Sequence, residues 1–133
     1  MLYKYWPNPG DVLTCDFSRG FVAPEMLKQR QVVVISPKAS HSRLLCTVVP
    51  LSCTAPFNIL PCHYQLTTDP CPTLNSENEA VWAKCDMLYT VSFERLDKLH
   101  KKTRKGREYF IPQVTPEDYQ GIIAAVRSYL NFL

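Results

Sequence analysis

The stretch GDVLTCDFSRG, residues 10–20, decides the fold, because it opens a series of short apolar runs separated by turn residues. Leu13, Cys15 and Phe17 alternate with residues that face the other side, which is the period of a half-buried strand. The next run, QVVVISP at 31–37, is β-branched and ends at a proline, as a central strand does. These two runs predict neighbouring strands joined by an irregular loop.

Further strands are predicted beyond the second run. LLCTVVPLS at 44–52 carries Pro50, which indicates an edge, a bulge or the end of a strand. Ser92 can cap a short helix over Phe93–Leu99. The remaining runs predict short strands at His63–Leu66, Ala80–Lys84, Met87–Val91 and Tyr109–Ile111, the middle two being either separate or one bent strand. The prediction is a mainly β fold, either a small SH3-like barrel or a strongly bent antiparallel sheet, with a C-terminal helix.

The C-terminal segment predicts that helix over about 116–132. Thr115 can cap its first turn, and Pro116 fits the first helical position. Gly121 lowers its intrinsic stability by about 1 kcal/mol relative to alanine. The apolar residues that fall on one face are Tyr119, Ile122, Ile123, Val126, Tyr129, Leu130 and Leu133. This face is predicted to pack on the sheet or on a partner.

Composition sets broad limits. The chain has 133 residues and a net charge of +3, which fits one domain and permits a polyanionic partner without requiring one. Neither a signal peptide nor a membrane span is evident, so a cytoplasmic protein is expected. The basic run Lys98–Arg107 predicts a solvated, flexible connection, with a phosphate contact as the alternative.

Six cysteines are present, and no secretory signal favours pairing them in disulfides. Cys62, His63, Cys71 and Cys85 could collect a metal, but their spacing matches no common zinc pattern. Burial as small apolar residues is the simpler interpretation, so we expect neither a metal nor a cofactor.

Two polar residues stand at the ends of predicted strands. Arg30 closes the loop before the second strand, and Ser52 ends the third. A fixed guanidinium beside a fixed hydroxyl can hold a phosphate. The alternatives are a surface arginine and a serine that caps a turn.

The order of these motifs is similar to that of a known family. GDVLTCDF, the loop ending at Arg30 before VVVISP, VVPLS, PCHYQL and WAKCDMLYTVSFERL together resemble the MazF/PemK toxins over residues 9–99. The resemblance implies a single domain over 1–133 and a metal-independent endoribonuclease, a hydrolase that cuts single-stranded mRNA at short sequences. It also implies attack by the ribose 2′-OH, leaving a 2′,3′-cyclic phosphate and a 5′-OH.

The same resemblance assigns roles to single residues. Arg30 and Ser52 would stabilise the scissile phosphate, and Asp86 in KCDMLYT would act as general base or orient Arg30. The predicted RNA-binding residues are His63, Lys84, Tyr89 and Lys28. Asp86 could instead pair with Lys84 or Arg95, and His63 could be structural.

The chain departs from the family pattern in the loop EMLKQRQ, which lacks glycines and is predicted to be less flexible. Tyr89 and Lys84 stand where relatives carry arginines. The implied partners are single-stranded RNA, a cognate antitoxin and a second copy in a homodimer, with DNA reached only through the antitoxin. Two alternatives stay open: a catalytically weakened RNA- or protein-binding module, and a cysteine-based metal or redox protein.

Overall fold

A computed structural model describes residues 6–41, 43–71 and 80–131. Its strands are β1 (Val12–Asp16), β2 (Gln29–Val34), β3 (Leu45–Ser52), β4 (His63–Gln65), β5 (Trp82–Lys84), β6 (Tyr89–Ser92), β7 (Leu96–Asp97), β8 (Leu99–Thr103) and β9 (Gly106–Phe110). One α-helix, α1 (Pro116–Tyr129), follows them, and single 3₁₀ turns lie at Lys38–Ser40, Cys85–Met87 and Phe93–Arg95. Within these ranges, none of the helices has the length and apolar character needed to cross a membrane.

The main sheet is antiparallel and has the strand order β4-β5-β3-β2-β1-β7, with β6 attached to β3. This confirms the mainly β prediction, but the described strands do not close into a barrel. β3 pairs with β6 at Leu45–Val48 and with β5 at Leu51–Ser52. Pro50 lies in the gap between these two partners, where a residue without an N–H costs no ladder hydrogen bond on that side.

The sheet buries apolar residues on both faces, because successive strand residues point to opposite sides. The helix face of the sheet, which includes Val12, Val33, Val49, Leu51 and Ala83, packs against Ile122, Ala125 and Val126 of α1. The opposite face includes Leu13, Cys15, Phe17, Val32, Val34, Cys46, Val48, Val91, Phe93 and Leu96. Residues on β2 and β3 that share the parity of Val32 and Val48 therefore stand on the opposite face, away from the helix.

α1 is fixed to the sheet at its first turn. Thr115 caps it as predicted, accepting the Asp118 N–H at 3.1 Å. The buried Asp118 carboxylate accepts the Tyr64 hydroxyl at 2.7 Å and the Thr67 N–H at 3.0 Å. Burial works to raise the pKa of Asp118, yet the hydrogen bonds from Thr67 and Tyr64 bring that pKa below its usual value. The helix start is thereby tied to the end of β4.

The predicted apolar stripe of α1 is only partly buried. Ile122 and Val126 are buried, whereas Tyr129 and Leu130 are 49% and 45% exposed. Leu133, and the predicted helix end at 132, lie outside the described residues.

The predicted flexible connection over 98–107 is wrong. Most of this segment belongs to the hairpin of β8 and β9, which pairs Leu99 with Phe110 and Thr103 with Gly106. His100 and Tyr109 contact each other across it, with ring centroids 5.6 Å apart. The basic side chains are therefore displayed on a defined two-stranded ribbon.

The short helix predicted over Phe93–Leu99 is reduced to one 3₁₀ turn at Phe93–Arg95. Ser92 caps it as predicted, accepting the Glu94 N–H at 3.1 Å. The chain then returns to strand, because Leu96 pairs with Cys15 in the sheet. Strand pairing outweighs the local capping signal here.

Candidate functional site

Arg30 and Ser52 lie on neighbouring strands at the same end of the sheet. The β2–β3 ladder ends where Val32 pairs with Pro50, and Arg30 and Ser52 each lie two residues beyond that pair. Because strand residues two apart share a face, both stand on the face of Val32 and Pro50. The fold thus brings together the guanidinium and the hydroxyl that the sequence predicted to be neighbours.

A groove of about 290 Å³ lies at this pair. It is lined by Gln29, Arg30, Gln31, Leu51, Ser52, Cys53, Thr54 and Val81. Lys28, the loop lysine predicted to bind RNA, is exposed beside the rim, one residue before Gln29. We call this feature the Arg30–Ser52 groove.

Both central side chains have donors to offer. Arg30 is half-buried, and its buried Nε makes no hydrogen bond to any described residue. A buried donor left unpaired costs about 1–3 kcal/mol, so an acceptor in the groove would relieve that cost. Ser52 Oγ accepts the Thr54 N–H at 3.1 Å, but its own hydroxyl reaches the Thr54 carbonyl only at 3.5 Å. Ser52 therefore caps a turn and still has a weakly used O–H, so an anionic oxygen would suit both donors.

Lys84 and His63 stand further along the same sheet. Ser52 pairs with Trp82, and His63 pairs with Lys84, two residues beyond Trp82 on β5. Because strand residues two apart share a face, Lys84 lies on the face that carries Ser52. Asp86 follows β5 in a 3₁₀ turn and does not line the groove.

His63 and Asp86 form a pair. His63 Nε2 lies 3.6 Å from Asp86 Oδ1, and His63 Nδ1 accepts the Leu60 N–H at 3.1 Å. Since Nδ1 uses its lone pair in this bond, the neutral ring carries its proton on Nε2, facing the carboxylate. In this arrangement His63 can orient Asp86 without moving. To shuttle a proton, its Nδ1 would have to give up the hydrogen bond from the Leu60 N–H. The predicted alternatives for Asp86, pairs with Lys84 or Arg95, are not found among the described residues.

Cys62 adds a thiol to this pair, and ligand atoms of Cys62, His63 and Asp86 lie within 4.8 Å of one another. The cluster differs from the combination considered from sequence, since neither Cys71 nor Cys85 belongs to it. A metal on Nε2 would move the ring proton to Nδ1, opposite the Leu60 N–H. Burial and the neighbouring Asp86 also raise the pKa of the Cys62 thiol. Both effects disfavour metal binding.

The other buried cysteines behave as small apolar residues, as predicted. Burial is the main cause that raises the pKa of Cys15, Cys46, Cys71 and Cys85 to about 12 in each case. Their thiols are protonated at neutral pH, which makes them poor nucleophiles and poor metal ligands. The structure therefore offers little support for a cysteine-based redox site at these positions.

Tyr89 anchors the loop between β1 and β2, residues 17–28. Its ring centroid lies 5.2 Å from that of Phe17 and 5.3 Å from that of Phe21. Its hydroxyl accepts the Met26 N–H at 3.3 Å. These contacts give a physical basis for the low flexibility predicted for EMLKQRQ. Stacking of Tyr89 on an RNA base stays a prediction, and the ring already has protein partners.

The sequence suggested Arg95 only as a possible partner of Asp86, yet it contacts the same loop. Its Nη1 donates to the carbonyl oxygens of Asp16 at 3.1 Å and Arg19 at 2.8 Å. Its guanidinium carbon lies 4.6 Å from the centre of the Phe21 ring. The motif FERL contains no local signal for these contacts, because the loop is more than 70 residues away in sequence.

Two curated relatives match most of the chain. YifN, an uncharacterized protein of Escherichia coli, is 29% identical over 136 residues, covering 89% of this chain and 87% of its own length. An uncharacterized protein of Haemophilus influenzae is 26% identical over 136 residues, with coverages of 94% and 93%. Neither name assigns an activity.

Solved structures share the fold. MazF of Deinococcus radiodurans superimposes with a TM-score of 0.69 at 17% identity, covering 97% of this chain and 100% of that one. A mycobacterial endoribonuclease in complex with its cognate antitoxin gives a TM-score of 0.63 at 19% identity, with coverages of 96% and 97%. The model of one family, described as PemK-like, MazF-like toxin of type II toxin-antitoxin system, matches residues 8–128. The chain therefore belongs to the PemK-like, MazF-like toxin family.

Proposed function

We propose that this chain is the toxin of a type II toxin–antitoxin pair and an endoribonuclease that cleaves single-stranded mRNA at short sequences. The observation that carries the proposal is the Arg30–Ser52 groove, which is lined both by a half-buried arginine whose Nε has no hydrogen-bond partner among the described residues and by a serine with a weakly used hydroxyl. Family membership supports it, as does the likeness to solved structures of mycobacterial endoribonucleases.

The proposed reaction is a transesterification within the RNA, without a metal or a cofactor. The 2′-oxygen bonds to the adjacent phosphorus while the bond from phosphorus to the next 5′-oxygen breaks. The 2′-OH proton passes to a base, and the leaving 5′-oxygen takes up a proton. The products are a 2′,3′-cyclic phosphate and a 5′-OH end.

Each catalytic residue has a role in that reaction. Arg30 and Ser52 donate hydrogen bonds to the phosphate oxygens, whose negative charge grows in the transition state. Asp86 accepts the 2′-OH proton or orients Arg30, and His63 Nε2 lies 3.6 Å from its carboxylate. The turn after β5 must approach the groove with bound RNA for Asp86 to act directly.

RNA is proposed to cross the sheet face that carries Ser52 and Lys84. Lys84 and the exposed Lys28 would contact its phosphates, in keeping with the net charge of +3, and His63 would join them only if its Nε2–H turned from Asp86 to the RNA. Tyr89 contributes by fixing the loop, and stacks on a base only if its ring leaves Phe17 and Phe21.

The proposed protein partners are an acidic antitoxin and a second copy of the chain. Solved relatives carry titles that name a cognate antitoxin or a MazE-MazF complex, which supports the first. The chain is proposed to act in the cytoplasm as one domain over 1–133, reaching DNA only through the antitoxin. The alternative is a binding module of the same fold whose catalysis is weak.

A cleavage assay separates these alternatives. The purified protein is incubated with a long RNA in the presence of EDTA, and the new ends are mapped. The proposal expects cuts at one short sequence, with 5′-OH ends and 2′,3′-cyclic phosphates, unaffected by the chelator. RNA binding without cuts would support the binding module, and loss of cutting in EDTA would contradict a metal-independent reaction.

A further inference from the structure

We propose that Arg95 is a positioning residue for Arg30, acting through the end of β1 and the loop at 17–28. This inference rests on the proposed nuclease function, because it concerns how the arginine of that site is held in place. Arg95 lies in the 3₁₀ turn Phe93–Arg95, whose start Ser92 caps. A capped turn is a fixed base from which a long side chain can reach the loop.

Arg95 donates a hydrogen bond to the backbone of β1, the strand that pairs with the segment carrying Arg30. Asp16, whose carbonyl accepts from Arg95 Nη1 at 3.1 Å, is paired with Gln29 in the sheet. The next pair in that ladder is Cys15 with Arg30. The contact therefore holds the last rung of the β1–β2 ladder, one residue from the arginine of the groove.

The same guanidinium holds the start of the loop. Nη1 also donates to the Arg19 carbonyl at 2.8 Å, and its carbon lies over the Phe21 ring at 4.6 Å. Gly20 sits between these contacts with a positive φ of 79°, and a Cβ there would come within 3.3 Å of Arg95 Nη2. The chain thus turns tightly around the Arg95 guanidinium. A lysine at this position has only one compact ammonium group and could not make the same set of hydrogen bonds and ring contact.

Tyr89 closes the far side of the loop. Its hydroxyl accepts the Met26 N–H at 3.3 Å, and the Phe17 N–H donates to the Lys28 carbonyl at 3.2 Å. Loop and strand end are thus fixed at both sides before RNA arrives. A preorganised arginine stabilises a transition state better than one that must be ordered during the reaction.

The test is a double-mutant cycle in single-turnover cleavage. Arg95→Ala is expected to lower the maximal rate about tenfold, with an RNA half-saturation within about twofold of wild type, because the loss is in positioning rather than binding. In an Arg30→Ala background the same change should have no further effect, since the residue being positioned is gone. Arg95→Lys should recover little, and Arg127→Ala, an exposed arginine on α1, should match wild type.

Two outcomes would overturn the inference: an unchanged rate in Arg95→Ala, or an equal loss in both backgrounds, which would indicate an effect independent of Arg30. Hydrogen exchange over 17–31 gives a readout that needs no cleavage. We expect Arg95→Ala to speed exchange there about tenfold while the thermal midpoint changes little. If the wild-type protein cuts no RNA, the nuclease proposal fails, but the role of Arg95 in ordering the loop can still be tested. Unchanged hydrogen exchange over 17–31 in Arg95→Ala would then refute that role as well.

Discussion

Replacing Arg30 by alanine is expected to lower kcat/KM for RNA cleavage by about 10²–10³, the loss typical of removing one preorganised donor from a developing anion. The reason is local: Arg30 and Ser52 line the same groove, and the buried Nε of Arg30 makes no hydrogen bond to the described protein. Arg30→Lys retains the charge but not the planar fork, so we expect activity between the two. Single-turnover rates on a short RNA with the mapped cut site measure the effect.

Arg127→Ala serves as the matched control, because it removes the same charge from an exposed position on α1, across the sheet from the groove. It should cleave at the wild-type rate. Since replacing Arg30 also removes a buried, unpaired Nε donor, Arg30→Ala should unfold at no lower a temperature than wild type. An Arg30→Ala protein that folds and cuts normally would remove the groove from the mechanism.

Replacing Gly121 by alanine is expected to destabilise the protein by about 1–2 kcal/mol, as overpacking does. Helix propensity alone predicts the reverse, a gain of about 1 kcal/mol. The overlap prevails because a Cβ at Gly121 would collide with the Tyr64 ring. That ring cannot easily retreat, since its hydroxyl donates to the buried Asp118 at 2.7 Å. Urea unfolding of both proteins measures the difference.

The control is the same change in a Tyr64→Ala background. With the ring removed, alanine at 121 should stabilise the helix, so the sign of the effect reverses between backgrounds. Equal effects in both backgrounds would mean that Tyr64 is not the reason for the glycine.

The elements that the sequence predicted well are those with a clear apolar pattern. β1 and α1 carry apolar residues at regular spacing, and β2 contains a continuous β-branched run that is buried on both faces, so these patterns are visible in the sequence. Of the hairpin of β8 and β9, the sequence predicted only a strand at Tyr109–Ile111, which overlaps the end of β9; the rest was missed because most of its residues are exposed. These two strands pair with each other through backbone hydrogen bonds and bury few side chains. Their sequences therefore lack the alternation of apolar and polar residues that predicts a strand.

The sequence also predicted only part of the candidate site. Arg30 and Ser52 each ended a predicted strand, so strand pairing alone brought them together. The pairing of His63 with Asp86, the loop contacts of Tyr89 and the grip of Arg95 depend on side chains far apart in sequence. No local pattern specifies such contacts, and only the folded chain displays them. The Tyr89 ring, which was predicted to stack on an RNA base, packs against Phe17 and Phe21 of the protein.

The most direct test of the central claim is cleavage of an RNA oligonucleotide that lacks a single 2′-OH, at the nucleotide immediately 5′ of the mapped cut. We expect no product from this substrate, normal cleavage when the missing hydroxyl is moved elsewhere, and a 2′,3′-cyclic phosphate on the unmodified RNA. Cleavage of the modified bond at the normal rate would contradict attack by the 2′-oxygen, and with it the role assigned to the Arg30–Ser52 groove.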